Sequence, residues 1–369
     1  MKKTEHHNIK LTEVTPIPSS LGGISKGISA SFAGFLDNNL VVIGGCNFPE
    51  IPAAQKGKKV FYKDILMLKS GAWIKIGNLP QELAYGVSIT TTDAIFCIGG
   101  QNNEISSSAV YKISFEKQKH HAIVEELPNL PVTFDNGAGA MLDNSIYIAG
   151  GNQNGSASSD VWLLDLDLGN GWVPAPPLPV KGGLVQPVAA GTTSKLYVIG
   201  GFVPPLNDVL CEVNHAVWSY APLHASTWEE KQPFLINEAK MSLSGSAAAV
   251  IRDSLILFVG GVNKSVFEYA MNRNIYLSQA KEDNNDKLVE QLLKEAGEYM
   301  HHEPDWYRFN NHLWLYHIHS NSWSDLGAFP ELALAGTSLA VKNHEVYIIN
   351  GETKPGIRTP KIWRVEFPE

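Results

Sequence analysis

The sequence predicts an all-β fold, a propeller of six blades closed by its own N-terminal strand. Three observations carry this. First, a short β-branched or aromatic run ending in glycine recurs: NNLVVIGG ends at Gly45, DAIFCIGG at Gly100, NSIYIAGG at Gly151, SKLYVIGG at Gly201 and DSLILFVGG at Gly261, and HEVYIINGE runs to Glu352. Second, the first four glycine pairs recur about every 50 residues, a period that marks a repeat architecture. Third, a tryptophan strand with a proline turn follows most of them: Trp73 in GAWIKIGNLP, Trp172 in NGWVPAPPLP, Trp228 in STWEEKQPF and Trp323 in NSWSDLGAFP.

Each run is preceded by a polar turn and ended by glycine, which reads as a strand with a sharp exit. The lead-ins GISASFAGFLD, AYGVSITTTD and SGSAAAVIRD are rich in small residues. Such side chains suit a crowded inner strand near a central axis. A further strand and the tryptophan strand complete four per blade. The second unit has HAIVEELPNL where its tryptophan should be. After Gly351 only KIWRVEF remains, so the last blade lacks its outermost strand. IKLTEVTPIP near the N-terminus reads like WIKIGNLP, and residues about 9–18 are expected to fill that place. This closure removes two open strand edges. Residues 1–369 then form one domain.

One insertion, about 265–308, breaks the rhythm. Within it, KLVEQLLKEAGEYM places Leu288, Leu292 and Ala296 on one stripe with Val289, Leu293 and Met300 beside it, the spacing of an amphipathic helix. KEDNNDK before it reads as a polar turn and cap. The expectation is a helical cap packing its apolar face on the propeller; the sharper reading, compatible with it, is that the cap also roofs a binding site.

A chain of 369 residues is long enough for a large core, and closed β architectures of this size form one unit. Hydrophobic content of 44% with 18% charged residues fits a globular protein. A net charge of -8 argues against a nucleic-acid surface. No apolar run approaches the length of a membrane span. Cys46, Cys97 and Cys211 form no CxxC and sit in or beside apolar runs, the setting of buried free thiols. MKKTEHHNIK starts with basic residues but has no apolar stretch, so no signal peptide is expected.

The glycine-ended units with their tryptophans resemble kelch repeats. The segment NGETKPGIRT resembles, more specifically, the active-site loop of the bacterial N-acetylneuraminate epimerase (sialic acid mutarotase) family, which are six-bladed kelch propellers. In that family a Glu and an Arg six positions apart on this loop are the proposed catalytic pair, which implies Glu352 and Arg358 here. GGVNKSVFEYA, a helical insertion, FNNHLWLYHIHSNSW and then the Glu loop is the family's order, and AYGVS at 84–88 also fits. The Glu-loop blade comes last rather than mid-chain, so the chain resembles a cyclically permuted branch. An Arg-Asp-Gln segment of better-known members stands against Leu184, Val185 and Gln186. The resemblance implies an isomerase that interconverts the α and β anomers of N-acetylneuraminate by acid–base ring opening and closure. It also implies a periplasmic location and no cofactor.

The chemistry of the residues agrees with that implication. An ionised Glu352 can accept the anomeric hydroxyl proton and return it. Arg358 suits the substrate carboxylate through a planar, permanently charged contact. Lys354 adds positive potential, and a nearby cation keeps Glu352 ionised. The plain alternative is a surface ion pair of little energetic weight. Asn47, Asn152 and Asn263 lie just past glycine pairs, where an amide could bond sugar hydroxyls or an N-acetyl group. Asn is equally favoured there because it tolerates left-handed turns. Tyr85 and Gln186 lie on lead-in strands and could line the channel, with core packing the competing role for Tyr85. His301, His302, His312, His317 and His319 have no carboxylate or cysteine at metal-site spacing, so no metal is expected. No phosphate loop and no GxSxG are present. The competing reading is a non-catalytic propeller that binds a protein or glycan, which a large exposed apolar patch would favour.

Overall fold

The computed structural model describes residues 9–235 and 241–367. MKKTEHHN, on which the signal-peptide expectation rests, lies outside them. The fold is mostly strands with few helices. Among the described residues no helix is long and apolar enough to cross a membrane.

The strands form successive antiparallel four-stranded sheets. The first is Phe32–Leu36, Asn39–Ile43, Asp64–Lys69 and Ala72–Asn78. The second runs from Val87–Thr90 to His121–Glu126, the third from Ala138–Leu142 to Trp172–Ala175, and the fourth from Val188–Gly191 to Glu229–Lys231. The fifth runs from Ser246–Ile251 to Ser322–Ala328. In the sixth, Ser338–Lys342, Glu345–Ile349 and Ile362–Glu366 are joined by Lys10–Val14, with Lys10 opposite Glu366 and Val14 opposite Ile362.

Apolar residues on both faces of these strands are buried, because each sheet is covered on two sides. The core therefore lies between sheets rather than at one centre. Phe32, Val41 and Ile65 of the first sheet pack with Ile95, Cys97 and Ile113 of the second. Ala340, Ile349 and Ile362 of the sixth pack with Ala33, Val42 and Leu66 of the first. All three cysteines are buried and free.

Two recurring residues stitch neighbouring sheets together. The glycine pairs are left-handed at both positions, with φ of 62° and 90° at Gly44 and Gly45. A side chain on Gly44 would lie 2.4 Å from the Leu83 carbonyl oxygen of the next sheet. That close approach lets the Gly45 N–H donate to Leu83 O at 2.8 Å, and Gly351 donates likewise to Ile28 O at 2.9 Å. In the sixth run Asn350 takes the first position at φ 49°. The tryptophans link the outer strands. Trp172, Trp228 and Trp323 donate their indole N–H to Pro128 O, Pro176 O and Gln232 O of the preceding sheet. Trp73 donates to Thr15 O at 2.8 Å, directly after the N-terminal strand.

Truncating the chain before Ile17 tests that strand. It would bare the Ile362–Glu366 edge, strip Leu11 and Val14 from the clusters they pack against, and leave Trp73 unpartnered. The loss is expected to be roughly 3 kcal/mol from apolar burial. A lower melting temperature and light scattering that grows with concentration would report it.

The insertion lies between the second and third strands of the fifth sheet and holds three helices: α1 (Lys264–Glu282), α2 (Asp286–Glu298) and α3 (Pro304–Tyr307). Sequence periodicity finds α2 and misses α1. Two polar residues of α1 dock it. Asn272 is buried and accepts from Cys211 N at 2.6 Å, and Glu268 accepts from Val213 N at 2.8 Å. Phe267 and Met271 add a short apolar contact with Phe202 and Val213, too brief to show as a continuous stripe. In α2 the expected stripe is only partly covered, since Leu292 is buried while Leu288 and Leu293 are exposed. The cap of α2 is Asn285, whose side chain accepts from Leu288 N.

Candidate active site

Between their second and third strands, several sheets carry a short hairpin. Examples are Cys46–Asn47 with Val60–Phe61, and Phe202–Val203 with Glu212–Val213. In the sixth sheet this hairpin is Glu352–Lys354 with Ile357–Arg358, turning at Pro355 and Gly356. Its register sets Glu352 directly opposite Arg358. Opposed residues of an antiparallel pair have Cβ atoms about 5 Å apart, which explains the six-residue spacing. The fifth sheet has the helical insertion at the equivalent place, so helices and Glu-loop share one end of the molecule.

Arg358 Nη2 lies 2.5 Å from Glu352 Oε1. The Arg358 side chain is 2% exposed and that of Glu352 23%. Arg358 Nε donates to Ser29 Oγ at 3.0 Å, and its guanidinium stacks 5.1 Å from the centre of the Phe48 ring. Only Nη1, also buried, lacks a hydrogen-bond partner. Burial pushes the Glu352 carboxyl above the usual carboxylate range, against the pull of Arg358, Lys59 and the Gly356 N–H. The result is a desolvated carboxylate that binds a proton more readily than an exposed one.

Glu352 opens into a cavity of about 250 Å³. Tyr85, Gln186, Asn263 and Ser29 share its wall. Val266 and Phe267 of α1, with Tyr299, Tyr307 and Phe309, form an apolar roof. The helical insertion thus covers the carboxylate. Below the cavity, a channel is lined by the first strands of the sheets, from Ser31 and Ser88 to Ser338. Along its rim five backbone hydrogen bonds link six residues in a row. Tyr85 N donates to Ala30 O, Asn136 N to Tyr85 O, Gln186 N to Asn136 O, Gly336 N to Gly245 O, and Ala30 N to Gly336 O. All six residues have left-handed φ.

The site residues expected from sequence divide. Glu352, Tyr85, Gln186 and Asn263 meet at the cavity. Asn263 also caps α1, its side chain accepting from Val266 N. Arg358 lies beneath, not on the wall, so its fork holds Glu352 and Ser29 rather than standing open to clamp a substrate carboxylate. Lys354 turns outward and donates to His302 O at 2.6 Å, tying the hairpin to the cap. Asn47 does not line the cavity. It is buried, donates to Gly23 O and Gly27 O, and accepts from Tyr62 OH. It follows Cys46 in a strand, and alternation turns it away. Asn152 is taken up by Asp135 Oδ1 at 2.8 Å. His312 pairs with Asp325 at 2.9 Å. Among the described residues no group of three His, Cys, Asp or Glu could hold a metal ion.

Sequence reasoning misses Lys59, Ser29 and Phe48. Lys59 Nζ donates to Tyr85 OH at 3.2 Å and adds positive potential at Glu352. No local signal marks these residues, because they reach the site from other sheets.

Comparison with known proteins places the chain in a family. The family model for N-acetylneuraminate epimerase matches residues 1–122 and 127–369. An N-acetylneuraminate epimerase of Yersinia enterocolitica serotype O:8 / biotype 1B is 29% identical over 246 residues, covering 66% of this chain and 58% of the relative. That of Salmonella typhi is 28% identical over 240 residues, covering 64% and 57%. The chain thus spans under two thirds of the length of these relatives. The solved structure of YjhT superposes with a TM-score of 0.55 at 25% identity, covering 66% of this chain and 64% of that one. With a family model that spans nearly its whole length, the chain belongs to the N-acetylneuraminate epimerase family.

Proposed function

We propose that this chain is a six-bladed propeller, closed by its N-terminal strand, that interconverts the α and β anomers of N-acetylneuraminate. The Gly351–Ile28 and Trp73–Thr15 hydrogen bonds support the closure. A rotated blade order accounts for alignments that span only part of each relative. The observation that carries the activity is Glu352, a desolvated carboxylate with a raised proton affinity at the wall of a roofed cavity.

N-acetylneuraminate is a cyclic hemiketal with a carboxylate on its anomeric carbon. Glu352 removes the anomeric hydroxyl proton as the bond from that carbon to the ring oxygen breaks, and a second group gives the departing ring oxygen a proton, leaving a ketone and a ring-oxygen hydroxyl. The ketone turns its other face, the same oxygen adds back and returns its proton to that second group, and Glu352 returns its proton to the anomeric oxygen. Proton affinity matched to the working pH makes such a base efficient. Arg358 beneath it keeps it ionised and aimed. The largely apolar roof partly shields the site from water, which strengthens these charges.

Proton NMR of freshly released α-N-acetylneuraminate tests this reading. The anomers give distinct ring-proton signals, so equilibration is read directly. Acceleration over the uncatalysed exchange is expected. Exchange at the uncatalysed rate with folded protein present would remove the assignment for this sugar.

A further inference from the structure

Ring opening needs two proton movements, and Glu352 accounts for one. The ring oxygen leaves with the electron pair of the broken bond and takes up a proton. We propose that Tyr85 supplies that proton, with Lys59 positioned to stabilise the phenolate that remains. This rests on the mutarotase reading above.

Four observations place Tyr85 in this role. It lines the cavity together with Glu352, at the junction with the channel. Its backbone is left-handed, with φ 64°. The other five positions of the channel-rim row are Ala30, Asn136, Gln186, Gly245 and Gly336, residues that are small or end in an amide. An aromatic residue at such φ is a strained choice, and strain of this kind collects at functional sites. The Tyr85 oxygen accepts from Lys59 Nζ at 3.2 Å, and an ammonium has only protons to give. The phenol's own hydrogen therefore points away from Lys59; the Cys46 thiol, 3.4 Å away, also donates to the same oxygen, which leaves that hydrogen for a ligand. Burial, then Cys46 and Glu352, raise its pKa, which makes the phenol reluctant to release its proton and is why the Lys59 ammonium beside its oxygen matters to the phenolate.

Two other tyrosines line the cavity and are less suited. Tyr307 OH donates to Tyr299 O within the cap. Tyr299 has Arg273 over its ring face, 5.0 Å from the centroid, where the cation does not bond the phenol oxygen.

The step balances. Glu352 takes the anomeric hydroxyl proton, the carbonyl forms, and the bond from anomeric carbon to ring oxygen breaks. The ring oxygen takes the Tyr85 proton, and the phenolate pairs with Lys59. After the ketone turns its other face, each proton returns along its own path.

The test is Tyr85→Phe, which keeps the ring and loses the hydroxyl. Mutarotation is read by NMR and sugar binding by saturation-transfer difference. The rate is expected to fall by roughly 10²-fold or more, the span of a lost general acid, with binding retained. Lys59→Met is expected to slow the reaction and Lys59→Arg to restore much of it. An unaltered rate in Tyr85→Phe overturns the proposal and leaves the mutarotase reading standing. If the unaltered protein shows no acceleration, both readings fall. Should Tyr85→Phe not fold, the Lys59 pair decides: equal rates in Met and Arg variants overturn the proposal.

Discussion

Glu352→Gln leaves N-acetylneuraminate equilibrating at close to its uncatalysed rate. Glutamine keeps the size of the side chain and can still face Arg358 Nη2 through its carbonyl, so the hairpin and cavity keep their shape. What disappears is the group that accepts a proton. Loss of a positioned general base costs roughly 10² to 10⁴-fold. On the proposed reading, the unaltered protein should lose activity as pH falls through the Glu352 pKa. Because burial raises that pKa, the decline begins at a higher pH than for an exposed carboxylate. In Glu352→Gln this acid limb should vanish along with the rate. A residual rate with the same limb would place the base elsewhere.

Arg358→Met has two separable effects. Glu352 loses its buried partner, and breaking such a pair from one side costs about 3–5 kcal/mol. A thermal melt should show a large drop. The second effect is on titration. Arg358 holds the Glu352 pKa down against burial, so its removal lets that pKa rise further and moves the acid limb to higher pH. A guanidinium that clamped the substrate carboxylate would behave differently, raising KM and leaving the limb in place. Arg358→Lys should fall between, because it keeps the charge but loses the Nε bond to Ser29 and the flat stacking on Phe48.

The pair at the centre of both predictions was picked out by the resemblance of NGETKPGIRT to the family's loop, and it could be carried by so short a segment because a hairpin makes it a local feature. Glu352 and Arg358 are opposed across a ladder set by a Pro-Gly turn, so spacing along the chain stands for distance in space. The strands were legible for a similar reason, since each run and its glycine exit depend on neighbours in sequence. Helix α1 was not, because it docks through Asn272 and Glu268 and has no continuous apolar stripe. Asn47 misled because its position after a glycine pair says nothing of which side of the strand it faces. Lys354 misled because its partner, the His302 carbonyl, belongs to a distant insertion.

By itself the sequence determined the repeat, the strands and the residue types on the Glu-loop, all of which rest on local pattern and propensity. Tertiary structure decided which of those residues share one cavity. It brought Lys59 and Tyr85 to Glu352, sank Arg358 beneath the wall, and set α1 above it. Those arrangements join groups from different sheets. They follow from how the sheets pack and from the desolvation that packing imposes, which no stretch of sequence carries alone.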